Sequence, residues 1–181
     1  MLAGVAAPGP ERDEVDRLVE AWRRERPDLD VTPLAVLSRV SRLAVHLDRA
    51  RQQTFTEHGL QLWEFDVLAA LRRAGHPYEL SPGQLLTQTL VTSGTMTNRI
   101  DRLEQRGLVT RRPDPQDRRG VVVTLTESGR AKVDTALADL LGQEDGILEA
   151  LEPADRDLLA ELLRRITARF ERSEPDRSAS R

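Results

Sequence analysis

The stretch from Ser81 to Leu125, SPGQLLTQTLVTSGTMTNRIDRLEQRGLVTRRPDPQDRRGVVVTL, restricts the fold more than any other part of the chain. Ser81, Pro82 and Gln84 form a capping box with proline at the first helical position, so a helix is predicted over residues 82 to 89. Leu85, Leu86 and Leu90 give it an apolar side. After a turn at Val91 and Thr92, a second helix is predicted from Thr92 or Ser93 as N-cap to Arg106, with Gly107 as its C-cap glycine. Met96, Ile100 and Leu103 share one face of it. At about 100° per residue, Asn98, Asp101 and Arg102 point away from that face, with Thr95 beside them and Arg99 on the flank. Residues 108 to 112 and 121 to 125 are rich in branched side chains that favour strands, and PDPQDRRG between them supplies turn chemistry. The hairpin tip carries Arg118 and Arg119. A helix whose polar face points outward suits a major groove, and arginines on a hairpin beside it can enter a minor groove.

The run SGTMTNRIDRLEQRGLVTRRPDPQDRRGVVVTLTESGR, from Ser93 to Arg130, resembles the MarR family of winged-helix transcription regulators. It joins the recognition helix, the RGLV entry into the hairpin, the DRR tip and the LTESG exit without interruption. One departure is Gln116, which stands where the family often has an arginine before the tip aspartate. The resemblance implies a mainly α fold: a winged helix-turn-helix with N- and C-terminal helices forming an intertwined dimerisation region. It divides the chain into disordered residues 1–10, N-terminal helices over 11–58, and a DNA-binding lobe over 59–126. C-terminal dimerisation helices over 127–172 and a disordered tail over 173–181 follow. It further implies a sequence-specific, homodimeric regulator of double-stranded DNA, a repressor released from a pseudo-palindromic operator by a small anionic ligand. Its DNA-binding residues would be Ser93, Thr95, Thr97, Asn98 and Arg102 on the helix and Arg118 and Arg119 on the wing.

Outside that run the chain reads as amphipathic helices. From Glu11 to Arg26, Val15, Leu18, Val19 and Trp22 recur at helical spacing, and Pro27 ends the pattern. Thr32 and Pro33 open a helix expected to reach Glu57, with Leu37, Val40, Ala44 and Leu47 as its inward stripe. Residues 61 to 74 form another, with Leu62, Phe65, Leu68, Ala69 and Leu71 turned inward. Thr126 caps a helix containing Val133, Leu137, Leu140 and Leu141. Pro153 starts a last one in which Leu158, Leu159, Leu162, Leu163, Ile166 and Phe170 make a broad apolar stripe that needs cover.

The net charge of −3 is unevenly spread, because residues 31 to 126 carry +4 while both ends are negative. Such segregation permits a basic face on an acidic protein. There is no cysteine, which excludes disulfides and thiol-based peroxide sensing by this chain. The three histidines are not clustered, so neither His46 nor His58 is taken as a metal ligand, and no metal or cofactor is expected. With no phosphate-binding glycine loop and no nucleophile elbow, an enzyme is not expected either. No apolar run has the length of a membrane span, and the start, MLAGVAAPGPERDE, lacks the regions of a signal peptide, so the expected location is cytoplasmic.

Asp66 is the oddity of its helix. Its neighbours Leu62, Trp63, Ala69 and Ala70 are apolar, so its carboxylate either has a partner or acts near the helix N-terminus in contact with water. Here the chain resembles the urate-responsive, HucR-like branch of the family. That branch has a tryptophan on an added N-terminal helix, an aspartate before the helix-turn-helix, and arginines in the recognition helix and the strand entering the wing. Trp22, Asp66, Arg99 and Arg111 stand at those places, and the resemblance implies that they bind the ligand. The alternatives are a regulator of phenolic or other carboxylate ligands, and Trp22 as core.

Overall fold

The computed structural model describes residues 12–89, 92–114 and 120–171. The expected disorder at residues 1–10 and 173–181 lies outside them, as do Arg118 and Arg119 at the wing tip.

Among the described residues, seven helices and three strands follow one another: α1 Glu14–Glu25, α2 Thr32–Glu57, α3 Leu62–Arg73, β1 Glu79–Leu80, α4 Pro82–Thr89, α5 Ser93–Gln105, β2 Val109–Pro113, β3 Val121–Leu125, α6 Glu127–Ile147 and α7 Pro153–Glu171. Local chemistry sets most of these bounds. Asp13 and Asp16 close a capping box, so α1 begins at Glu14 rather than at Glu11 as expected. The Ser81 and Gln84 box forms as read, with Ser81 N donating to Gln84 Oε1 at 2.8 Å and Gln84 N to Ser81 Oγ at 3.2 Å.

The strands make one antiparallel sheet in the order β1-β3-β2, with Arg111 opposite Val123 and Leu80 on the other side of Val123. Two-residue β1 was not foreseen, since a pair of residues shows no period. The exit of the wing is stitched to its entry: Thr126 N donates to the Leu108 carbonyl at 3.1 Å, and the Thr126 hydroxyl accepts from Gly129 N at 3.0 Å. Gly129 lies so close that an added Cβ would come within 2.1 Å of the Leu108 carbonyl oxygen. Only glycine fits there, which explains the LTESG exit.

One core holds the winged-helix lobe together. Leu85 from α4, Met96, Ile100 and Leu103 from α5, Val109 and Val123 from the sheet, and Val133 from α6 close on Leu68 and Leu71 of α3. Phe55, at the end of α2, stacks on Phe65 with ring centroids 4.1 Å apart and ties the long helix to the lobe.

Several inward assignments need correction. Leu62 is 50% exposed at the first residue of α3, and Leu37 and Val40 of α2 are 53% and 39% exposed, with Ala44 also exposed. Only the last turns of α2 enter the lobe core, through Phe55, and its first half packs against α1. That contact has a small core of its own, Val15, Val19 and Val31 with Leu34 and Ala35 against it. Arg39 closes it by donating to Asp13 and Asp16 at 2.8 Å each, and Arg42 donates to Glu14 at 2.6 Å. The described side chains of α7 include none that is buried.

Candidate nucleic-acid interface and ligand cleft

Helix α5 is anchored on its core face and gripped along both flanks. On the wing side, Arg111 of β2 forms an ion pair with Asp101, donates through Nη2 to the Thr97 carbonyl at 3.3 Å, and gives its backbone N–H to Glu104 at 3.0 Å. Toward α3, Arg106 donates to Glu64 at 2.5 Å and to the Gly59 carbonyl at 2.7 Å. Glu64 is 2% exposed and also accepts from Gln61 N at 2.8 Å, so its charge is compensated on two sides. Arg99 and Arg102 place their guanidinium carbons 5.4 and 5.1 Å from the ring centroid of Trp63. These anchors leave Ser93, Thr95, Thr97 and Asn98 exposed on one continuous surface. Thr97 donates to the Ser93 carbonyl at 3.2 Å, and Thr95 and Thr92 hydroxyls are 2.9 Å apart, so these side chains are already oriented. Arg102 is exposed, as expected, with its guanidinium carbon over Trp63. A helical wheel gives the direction of Cβ, whereas a long arginine follows the nearest aromatic face.

The structure brings only two of the four expected ligand residues near each other. Asp66 is solvent-accessible yet sits in a cleft of about 210 Å³ between α3 and α4, with Phe65, Ala69, Arg73, Gln88 and Thr89 around it. Loss of surrounding water raises its pKa, and the fields of Arg99, Arg51 and Arg73 oppose that rise. Arg99 is therefore an electrostatic neighbour of Asp66, with its guanidinium over Trp63. Arg111 is committed to Asp101. Trp22, 48% exposed on α1, belongs to the helix that packs on the first half of α2.

A larger concavity of about 900 Å³ opens between the last turns of α2, the start of α3 and the end of α5, where Gln52, Thr56, Leu62, Glu64, Arg102 and Arg106 meet. Sequence reasoning missed it. The available signal was Gln61 followed at the third helical position by Glu64, a capping box whose carboxylate had no other cation nearby in sequence. Among the described residues, no group of three or more histidine, aspartate or glutamate side chains is placed to hold a metal ion, and no helix is long and apolar enough to cross a membrane.

Comparison with known proteins bears on this geometry. The MarR family profile matches residues 58–120, from the α2–α3 junction to the residue before β3. The HTH-type transcriptional regulator PecS of Dickeya dadantii is 40% identical over 153 residues, covering 84% of this chain and 92% of that protein. The HTH-type transcriptional repressor NicR of Pseudomonas putida is 32% identical over 142 residues, 76% of this chain and 88% of its own. Among solved structures, Bordetella bronchiseptica BpsR, whose DNA binding is regulated by 6-hydroxynicotinic acid, is 32% identical with a TM-score of 0.59, covering 73% of this chain and 92% of that one.

Proposed function

Because the chain belongs to the MarR family of winged-helix transcription regulators, we propose that it is a homodimeric repressor that occupies a pseudo-palindromic operator and leaves it when a small anion, urate or a related purine, is captured beside Asp66. The observation that carries the reading is the position of Asp66: a solvent-accessible carboxylate in the cleft between α3 and α4, in the field of Arg99 from the recognition helix itself. A purine anion needs an acceptor for its N–H groups, a cation for its charge and a flat apolar face. Asp66 supplies the first and Arg99 the second, while Arg111, paired with Asp101, and Trp22, on α1, lie apart from them in the single chain and would have to join the anion in its bound state. Captured anion redistributes Arg99 and moves α5, so the two recognition helices of the dimer no longer match successive major grooves. A coupling of about 1–3 kcal/mol, roughly 5- to 150-fold in affinity, suffices.

The test is binding to the DNA upstream of the protein's own gene, titrated with urate, salicylate, citrate and 6-hydroxynicotinate. Urate is expected to release the DNA, and Asp66→Ala is expected to lose that release; unchanged release in the variant refutes the mechanism. Ionised Asp66 offers both oxygens as charged acceptors, whereas protonation turns one into a donor and removes the charge, so urate affinity should fall as pH drops through its raised pKa.

A second reading is an aromatic hydroxy-acid or other carboxylate ligand. It is favoured by the ligand of BpsR and by the cleft of about 900 Å³ with Arg102 and Arg106 on one wall. Release by salicylate or 6-hydroxynicotinate and not by urate selects it.

A further inference from the structure

We propose that Trp63 is a positioning residue of the DNA-reading machinery: its indole is the plate on which Arg99 and Arg102 fix the pose of the recognition helix. Trp63 is the second residue of α3 and is partly buried, and its Nε1–H donates to Gln61 Oε1, the side chain of the residue that caps the same helix. The ring plane is thus set by the scaffold before α5 approaches. Arg99 and Arg102 are three residues apart, one turn along α5, and both guanidinium carbons lie within 5.4 Å of the ring centroid. That is inside the range in which a ring quadrupole attracts a cation.

Trp63 and Asp66 are likewise three apart, on α3. The two helices therefore face each other as a row, Asp66, Arg99, Trp63, Arg102, in which Arg99 lies over the ring and within the field of the carboxylate. Core packing of Met96, Ile100 and Leu103 sets the depth of α5. Rotation about its own axis is resisted by what grips its flanks, Arg111 on one side and, on the other, this row along the helix with Arg106 and Glu64 at its end. Removing the plate releases two cations at once on one flank and leaves the other intact, so the polar face turns relative to the groove. The inference rests on the reading of α5 as the DNA-contacting helix, and it does not depend on which anion is bound.

The experiment has two arms. In the first, operator affinity of the intact protein is measured for Trp63→Leu, Trp63→Phe, Arg102→Gln and the Trp63→Leu/Arg102→Gln double variant, with dimer mass and melting temperature recorded for each. Trp63→Leu is expected to weaken binding by at least about fivefold, and by up to about 30-fold, for two lost cation–π contacts. Trp63→Phe, which keeps a ring face, should stay within about threefold of the unaltered protein, and the double variant should be no weaker than Trp63→Leu by more than about twofold. Additive losses, or a Phe variant as weak as the Leu variant, overturn the proposal.

The second arm reads the plate without DNA. The chain has two tryptophans, so the 15N-tryptophan-labelled protein has two indole N–H signals, and Trp63→Phe identifies which belongs to Trp63. Arg99→Gln and Arg102→Gln should each displace that signal and leave the other in place. If neither moves it, the contact does not persist in solution and the proposal fails. Absence of operator binding by the unaltered protein, with both shifts present, would instead count against the function proposed above.

Discussion

The winged-helix lobe and the helices that flank it are comparably rich in leucine, yet they end with opposite surfaces. In the lobe, Leu68, Leu71, Leu85 and Leu103 are 0% exposed and Ile100 1%. On α7, Leu158, Leu162, Ile166 and Phe170 are 56%, 43%, 41% and 71% exposed, and Leu18, Trp22, Val36 and Leu37 on the N-terminal helices show the same pattern. An apolar stripe of that width at helical spacing is stable in water only against another surface. The lobe completes its core with one chain. The outer helices do not, and a second copy of the chain is the partner that the proposed dimer supplies. The difference teaches that the reading unit closes its core within one chain, with Phe55 of α2 and Val133 of α6, whereas in the proposed dimer the separation between two reading units is set by the outer stripes.

Charging the outer stripe should have the largest effect. Leu162→Asp with Ile166→Asp puts four carboxylates in the proposed interface, two from each chain, and even about 2 kcal/mol per substituted position should weaken self-association by at least roughly 1,000-fold. Sedimentation would show monomers, and far-UV circular dichroism should show the lobe still folded. Next comes a change confined to the lobe. Gly129→Ala forces a methyl group to within 2.1 Å of the Leu108 carbonyl and should cost about 3 kcal/mol or more, lowering the melting temperature. Smaller still is Glu64→Gln, which removes the buried charge opposite Arg106. The partner arginine is 37% exposed, so solvent screening limits the loss to about 1–2 kcal/mol, read by urea denaturation.

The smallest effect concerns α1. Arg39 holds the Asp13 carboxyl down at about 2, below its ordinary value of 3.8. A lowered folded-state pKa means that the contribution is present in full above the unfolded value and is lost as pH falls through the folded one. Docking of α1 on α2 should therefore be unchanged from neutral pH to about 4 and weaken between about 4 and 2, followed by hydrogen exchange at Val15 and Val19. Weakening already at pH 6 would show that the Arg39 cluster does not hold the helix.

How much of this is legible without coordinates differs by region for the same physical reason. The helix-turn-helix and wing are specified by local chemistry: the Ser81 and Gln84 box, Thr126 as cap and Gly129 against a carbonyl each leave a sign in neighbouring residues. The stripes of α2 and α7 are visible as apolar spacing, but spacing does not say whether cover comes from the same chain, so Leu37 and Val40 read as inward when they face out. Strand β1 is too short to show a period and is recruited by β3. At the candidate site, Asp66 stands out in the sequence as a carboxylate among apolar neighbours, whereas its place in the field of Arg99 is a relation between two helices. The preference of Arg99 and Arg102 for Trp63 is a contact between chain segments far apart in sequence, and the wheel that places Arg102 outward does not contain it.

The claim that one chain reads and two chains measure distance is tested most directly by the complex with a short duplex containing a single operator. Its mass by sedimentation, with hydroxyl-radical footprinting of the same sample, should show two chains per duplex and two protected patches related by two-fold symmetry, about one helical turn apart. One chain per duplex with a single patch would contradict it.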